Sequence, residues 1–137
     1  METKFYRCSV CGNIVTKIIN SGVVMECCGR KMEELHPQGE EEEGEEKHVP
    51  KVSFPAECEV NVKVGAKPHP MLEAHFIQWI FIETEKGGQL VRLQSSDMPE
   101  ATFYCGKQRP VAVYEYCNVH GLWGTDVNDG FDENYYC

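Results

Sequence analysis

The sequence predicts a mainly β protein in two parts, a small four-cysteine metal module followed by an antiparallel β-sandwich. Three observations lead there. Four of the eight cysteines fall within the first 28 residues, an acidic run interrupts the chain at 36–47, and the remaining ninety or so residues alternate apolar and polar side chains between short turns.

In residues 1–36 the runs "KFYRC", "NIVTKII" and "GVVMEC", separated by Gly, Asn and Ser, read as two or three small strands. So short a piece hides too little apolar area to offset its chain entropy and needs a staple. Cys8-Ser9-Val10-Cys11 and Cys27-Cys28 supply four thiols, with Gly12 and Gly29 directly after each pair. A C-x-x-C turn lets two sulfurs reach one ion, and the glycine beyond it tolerates a left-handed backbone. The vicinal Cys27-Cys28 departs from a zinc ribbon with two C-x-x-C turns, because adjacent side chains diverge and meet one ion only on a strained backbone. Four thiolates suit zinc and iron alike. At this point a purely structural zinc stands beside a redox iron.

"HPQGEEEEGEEK", His36 to Lys47, holds Pro, two Gly and six Glu, and like charges at this density keep a segment solvated. We place an acidic linker at 37–47, between a module at 1–36 and a domain at 48–137. The net charge of −9 divides as +1 over 1–36, −6 over 37–46 and −4 over 47–137. No basic stripe is left for nucleic acid or an anionic membrane, and no apolar run approaches the length of a membrane span.

After the linker come "ECEVNVKVG", with Val60, Val62 and Val64 on one face, then "HFIQWIFIET", "QLVRLQ", "ATFYC", "VAVYEYC" and "GLWGTDV". Six or seven short strands without a convincing amphipathic helix read as an antiparallel sandwich of immunoglobulin-like size. "METKFYRCSV" lacks the basic flank and apolar stretch of a secretion signal, so a reducing cytoplasm is expected, and thiols there serve metal rather than disulfides. Cys58 and Cys105 read as small buried strand residues, Cys137 as a free thiol, and Trp79 and Trp123 as core or rim.

His48, His69, His75 and His120 all lie in this second part, and Cys117-x-x-His120 ends a strand-like run. Singly, each histidine is more often a surface or core residue than a ligand. Together with Cys117 they offer five donors, more than the closed tetrahedron of structural zinc, and leave one octahedral position vacant. An open position opposite a thiolate suits a redox iron that binds a small oxygen species. Tyr114 and Tyr116 flank Cys117 and are expected to shield its sulfur.

"YRCSVCGNIV", "MECCGRKM", "EKHVP", "KPHPMLEAHFIQWI" and "YCNVHGLW", in this order, resemble the desulfoferrodoxin family of two-iron superoxide reductases over essentially the whole chain. The resemblance implies a desulforedoxin-like first module with iron on Cys8, Cys11, Cys27 and Cys28. It also implies a catalytic non-haem iron held by His48, His69, His75, His120 and an axial Cys117. Superoxide would be reduced by one electron to hydrogen peroxide without release of dioxygen. Glu46 and Lys47 match the pair before the first histidine ligand. Glu46 would occupy the vacant position in the resting oxidised state, and Lys47 would attract the anion and support protonation. A rubredoxin-like electron donor belongs to the same expectation. A homodimer is expected because pairing would bury strand edges of so small a module. Two rivals remain at this point: a two-iron protein that only relays electrons, and a zinc-stabilised binding module.

Overall fold

The computed structural model describes residues 2–127 and 135–137. They divide into two compact units, residues 2–36 and a second beginning at Pro37.

In the first unit β1 (Phe5–Arg7) is the middle strand of an antiparallel sheet, between β2 (Ile14–Thr16) and β5 (Glu33–Leu35). β3 (Glu26–Cys27) and β4 (Arg30–Lys31) form a separate hairpin. The strands are shorter than the apolar runs that suggested them. Phe5 and Cys8 are buried, but Ile18, Ile19, Val23 and Val24 are 96, 84, 71 and 55% exposed. β-branched residues favour a strand where they have a surface to pack on, and this unit offers little.

The second unit is the sandwich. β6 (Pro50–Ser53), β7 (Glu59–Val64) and β10 (Glu100–Tyr104) form one sheet in the order β10-β7-β6. β8 (Ile77–Thr84), β9 (Gly87–Arg92), β11 (Pro110–Cys117) and β12 (Gly121–Asp126) form the other in the order β12-β11-β8-β9, every pair antiparallel. Val60, Val62 and Val64 are buried as their alternation predicts, in one cluster with Ile77, Ile80, Ile82, Phe103, Val113 and Cys117. β6 was not anticipated. It opens on Pro50 at a sheet edge, where a missing N–H breaks no ladder bond.

The β11–β8 register pairs Tyr116 with Trp79 but Cys117 with Ile77, so Gln78 is an extra residue on β8. Such a bulge bends its strand and re-aims the chain. Here it turns Ile77 into the core beside Cys117 and sets the course of the segment that carries His75. Tyr114 and Tyr116 do not shield the sulfur. Successive strand residues point to opposite faces, so Tyr116 stacks on Trp79 with ring centroids 5.8 Å apart, and Tyr114 donates to Glu83.

The acidic stretch is tied to the sandwich rather than left as a free tether. Gln38 bridges to Trp123, its N–H donating to Leu122 O and its carbonyl accepting from Gly124 N, both at 3.0 Å. Glu40 to Glu43 remain exposed, and a four-residue turn of helix, α1 (Glu45–His48), comes after Gly44 at φ +86.

Two cysteine expectations are corrected. Cys137 is not a free thiol but is bonded to Cys58, across a sequence separation of 79. Cys58 and Cys105 are buried, yet each lies just beyond a strand end. The β7–β10 pairing brings those ends together, and Cys58 N–H donates to Tyr136 O at 2.7 Å, which delivers Cys137 to its partner. The expectation that thiols here serve metal and not disulfides fails at this pair.

A bridge closing so long a loop restricts the unfolded chain. Cys137→Ser is therefore expected to lower unfolding stability by about 2–4 kcal/mol, read as an earlier denaturant midpoint that added reductant does not lower further.

Candidate metal centres

The first cluster is made by two tight turns. Cys8 N–H donates to Asn13 O at 2.9 Å and Gly12 N–H to Cys8 O at 3.0 Å, with Gly12 at φ +80. Opposite, the β3–β4 hairpin pairs Cys27 with Arg30 and leaves Cys28 and Gly29 as its two-residue loop, at φ +54 and +73. Two successive left-handed residues are the signature of a type I′ turn, which suits the twist of paired strands. The strain that the vicinal pair implied is thus carried by Cys28, while Gly29 meets the same demand freely.

Cys11 Sγ lies 3.7 Å from Cys27 Sγ, which is 3.9 Å from Cys28 Sγ, and all four sulfurs lie within 4.8 Å of one another. Cys11 N–H points at Cys8 Sγ at 3.4 Å, and that backbone donor is the main reason the Cys8 thiol is drawn from 9.0 down to about 6. The neighbouring thiols, Cys11 first, push Cys28 up to about 12, and Cys8 first among them raises Cys27. One thiolate forms readily and the next ones resist, which is a cluster short of positive charge. A tetrahedral thiolate-seeking cation supplies it. Asn13 Nδ2, 3.8 Å from Cys27 Sγ, adds a donor that the sequence did not single out.

In the sandwich unit, α1 supplies His48, the loop after β7 supplies His69 and His75, and the β11–β12 turn supplies His120 next to Cys117. The donor atoms of these five residues all lie within 4.8 Å of one another. The imidazoles close a square. Ring centroids are 4.7 Å apart for His48–His69, 4.8 Å for His69–His75, 5.1 Å for His75–His120 and 4.8 Å for His120–His48, with planes crossing at 65–85°.

Backbone acceptors aim the rings. His48 Nδ1–H donates to Gly44 O at 2.8 Å and His69 Nδ1–H to Pro70 O at 2.6 Å. In both, Nε2 is left as the free lone pair, and the two Nε2 atoms face each other at 3.2 Å. Trp123 stacks on His48 at 4.7 Å. Among the described residues His75 Nε2 is buried without a hydrogen-bond partner. Burial, first among several causes, lowers His48 and His75 and brings His69 from 6.5 to about 4, so the rings are held neutral. Cys117 is fully buried and receives His120 N–H at 3.4 Å. Converging lone pairs, one orphaned nitrogen and one sheltered sulfur fit a transition metal.

Three supporting residues went unread in the sequence because nothing local marks them. Asn118 clamps the His75 loop from both sides, accepting from Phe76 N–H at 2.9 Å and donating to Ala74 O at 3.0 Å. Gly65 lets α1 approach, since a Cβ there would lie 2.9 Å from Glu46 O and Lys47 C. Gln38 Nε2 holds His120 O at 2.8 Å. A fourth, Glu115, is fully buried on the Cys117 side of β11, neither oxygen has a hydrogen-bond partner among the described residues, and burial raises its carboxyl well above the usual range.

A cleft opens onto the histidines, lined also by Glu43, Gly44, Lys47 and Pro70. Lys47 is exposed at this cleft. Glu46 is not among the lining residues; its carbonyl accepts Lys67 N–H at 2.8 Å. His36 lies outside both groups, 3.4 Å from Glu34.

The family model described as "Desulfoferrodoxin" matches residues 40–126, and "Desulfoferrodoxin, N-terminal domain" matches residues 1–35. The desulfoferrodoxin of Syntrophotalea carbinolica is 39% identical over 125 residues, which is 91% of this chain and 97% of that one. A desulfoferrodoxin homolog of Methanothermobacter thermautotrophicus is 43% identical over 123 residues, 88% and 95% of the two chains. Among solved structures, the superoxide reductase of Treponema pallidum superposes with a TM-score of 0.75 at 30% identity, covering 90% of this chain and 97% of its own.

Asn118→Ala is expected to weaken metal binding at the histidine group about 10-fold without unfolding the sandwich, measured by competition with a chelator while circular dichroism stays unchanged. Because the unfolded chain binds protons at these imidazoles more readily than the folded one, metal-free protein should lose stability as pH falls from 6.5 towards about 4. A melting temperature flat across that window would contradict the burial of the rings.

Proposed function

The chain belongs to the desulfoferrodoxin family, and from that premise we propose how its two centres and their neighbours divide the work. It is a superoxide reductase, which passes one electron to superoxide and yields hydrogen peroxide without releasing dioxygen. Its cofactors are two irons, one for each donor group. When bound by the histidine group, iron supplies the electron by cycling between Fe2+ and Fe3+.

The observation that carries this reading is the square of imidazoles joined by one buried thiol and reached through an open cleft. His48, His69, His75, His120 and Cys117 would hold this iron, four imidazole donors and one thiolate. Cys117 brings negative charge to the group, and the His120 N–H at 3.4 Å moderates it. The net charge of −9 repels superoxide at long range, so attraction has to be local. Lys47, exposed at the cleft, draws the anion in and passes a proton to the product through solvent.

Glu46 takes the carboxylate role of the resting oxidised centre, and Glu43, which lines the cleft, is the alternative carboxylate for it. Cys8, Cys11, Cys27 and Cys28 would hold the first iron, which would supply one-electron redox chemistry, with a rubredoxin-like carrier as the electron donor. The protein works in the cytoplasm; among the described residues no helix is long and apolar enough to cross a membrane. It works as a homodimer, for which the exposed Ile18, Ile19, Val23 and Val24 supply an apolar surface.

Pulse-generated superoxide should disappear in a fast second-order reaction with the reduced two-iron protein, and Lys47→Ala should slow it by about 10-fold or more with iron retained. An unchanged rate removes Lys47 from the mechanism, and a protein that purifies with zinc alone sinks the redox reading. Cys28→Ser should lose the first iron and keep most superoxide reduction. Of Glu46→Ala and Glu43→Ala, the first is expected to change the visible spectrum of the oxidised protein. Ile18→Asp with Ile19→Asp should shift sedimentation from dimer to monomer.

A further inference from the structure

Three cysteines stand outside both metal groups, and they meet at one end of the sandwich. Cys58, in the turn before β7, is bonded to Cys137, while Cys105, one residue beyond β10, is a buried free thiol whose N–H donates to Cys58 O at 2.9 Å. The metal group lies at the other end of β7, where Val64 O accepts His69 N–H at 2.9 Å. Six strand residues at about 3.3 Å each place the two ends roughly 20 Å apart.

Two features set this bridge apart from an ordinary staple. Among the described residues only two non-glycine positions have left-handed φ, and both are cysteines, Cys28 of the first metal group and Cys58 at +65. A turn that needs this conformation is served with less strain by Gly or Asn. A cysteine kept there points to a use for its side chain. The two sulfurs are also unequally placed, since Cys58 is buried at 5% exposure and Cys137 is exposed. Around them Tyr135 packs on Phe54 and its hydroxyl donates to Gly106 O, so the bridge fastens residues 135–137 onto the turns at the ends of β7 and β10.

We propose that Cys58 and Cys137 form a reversible dithiol–disulfide couple oxidised by hydrogen peroxide, a modification site through which the protein registers its own product. The source of the oxidant rests on the superoxide reductase reading; the thiol chemistry does not. The exposed Cys137 thiolate attacks one peroxide oxygen, the O–O bond breaks, and a sulfenic acid forms with hydroxide leaving. The Cys58 thiol then attacks the sulfenic sulfur, the S–S bond forms, and its proton leaves with the departing hydroxide as water. In sum, two thiols lose two electrons and one peroxide becomes two waters. A dithiol reductant reverses the step from the exposed side. Burial raises the Cys105 thiol, which keeps it protonated and a poor competitor. At roughly 20 Å from the metal ligands, the couple meets peroxide that has left the cleft.

The test uses the full iron-loaded chain, reduced by dithiothreitol, freed of it, and given an equimolar dose of hydrogen peroxide before alkylation and peptide mapping. The expected result is a linked pair of peptides carrying Cys58 and Cys137, lost again on adding dithiothreitol. Both cysteines recovered alkylated, or either one linked to Cys105, overturns the proposal. In Cys58→Ser, Cys137 should stop at the sulfenic acid and be captured by dimedone, and no adduct there overturns the order of steps. Cys105→Ser should leave the yield of linked peptide unchanged; its loss overturns the direct couple. Peroxide yield from a superoxide pulse is read separately. A chain that made none would overturn the enzymatic reading, while the response to added peroxide would still decide the couple.

Discussion

The pairing of β8 with β11 runs in step from Glu83 to Trp79 and then slips by one residue at Gln78, and the larger metal group depends on that slip. It lets Ile77 and Cys117 share the core cluster, so the sulfur is sealed by the same packing that stabilises the sandwich. It also fixes where β8 begins, and therefore where the loop bearing His75 comes off. Asn118 then stitches that loop to the β11–β12 turn, so that strand pairing and ligand placement are one event. His48 arrives independently, on a short helix turn that fits only because Gly65 presents no side chain.

The site is poor in charge. Three of its imidazoles are held neutral by burial, its thiol is sheltered from water, and burial pushes the carboxyl of Glu115, beneath the same strand, well above the usual range. Burying lone pairs without a partner is unfavourable, and a bound cation relieves it for several donors at once. The surface around the unit is acidic, which gives a single exposed lysine at the cleft more weight than it would have on a basic protein. Long-range repulsion and local attraction then act on the same small anion, and the local term decides the encounter.

Sulfur chemistry is partitioned by backbone conformation. Cys28 and Cys58 both adopt a left-handed φ, one inside a type I′ turn and one at a strand entry, and each brings a sulfur where a regular strand residue would not. In the small unit this gathers four sulfurs with little core to support them. In the sandwich it joins residues far apart in sequence at the end opposite the histidines.

The sequence alone determined the division into a four-cysteine unit and a β-sandwich, the alternating core of β7, and the nine residues whose types suit two metal groups. Those features are local, carried by residue type, spacing and period, and are legible before folding. Tertiary structure alone decided how the donors meet. The Gln78 slip, the Asn118 clamp, the gap at Gly65, the docking of Gln38 on Trp123 and the Cys58–Cys137 bridge each join segments distant along the chain. An acidic run also reads as free tether until the strand that receives it is in place. Pairing partners are chosen by which faces the whole core can bury together, and no window of sequence contains that choice.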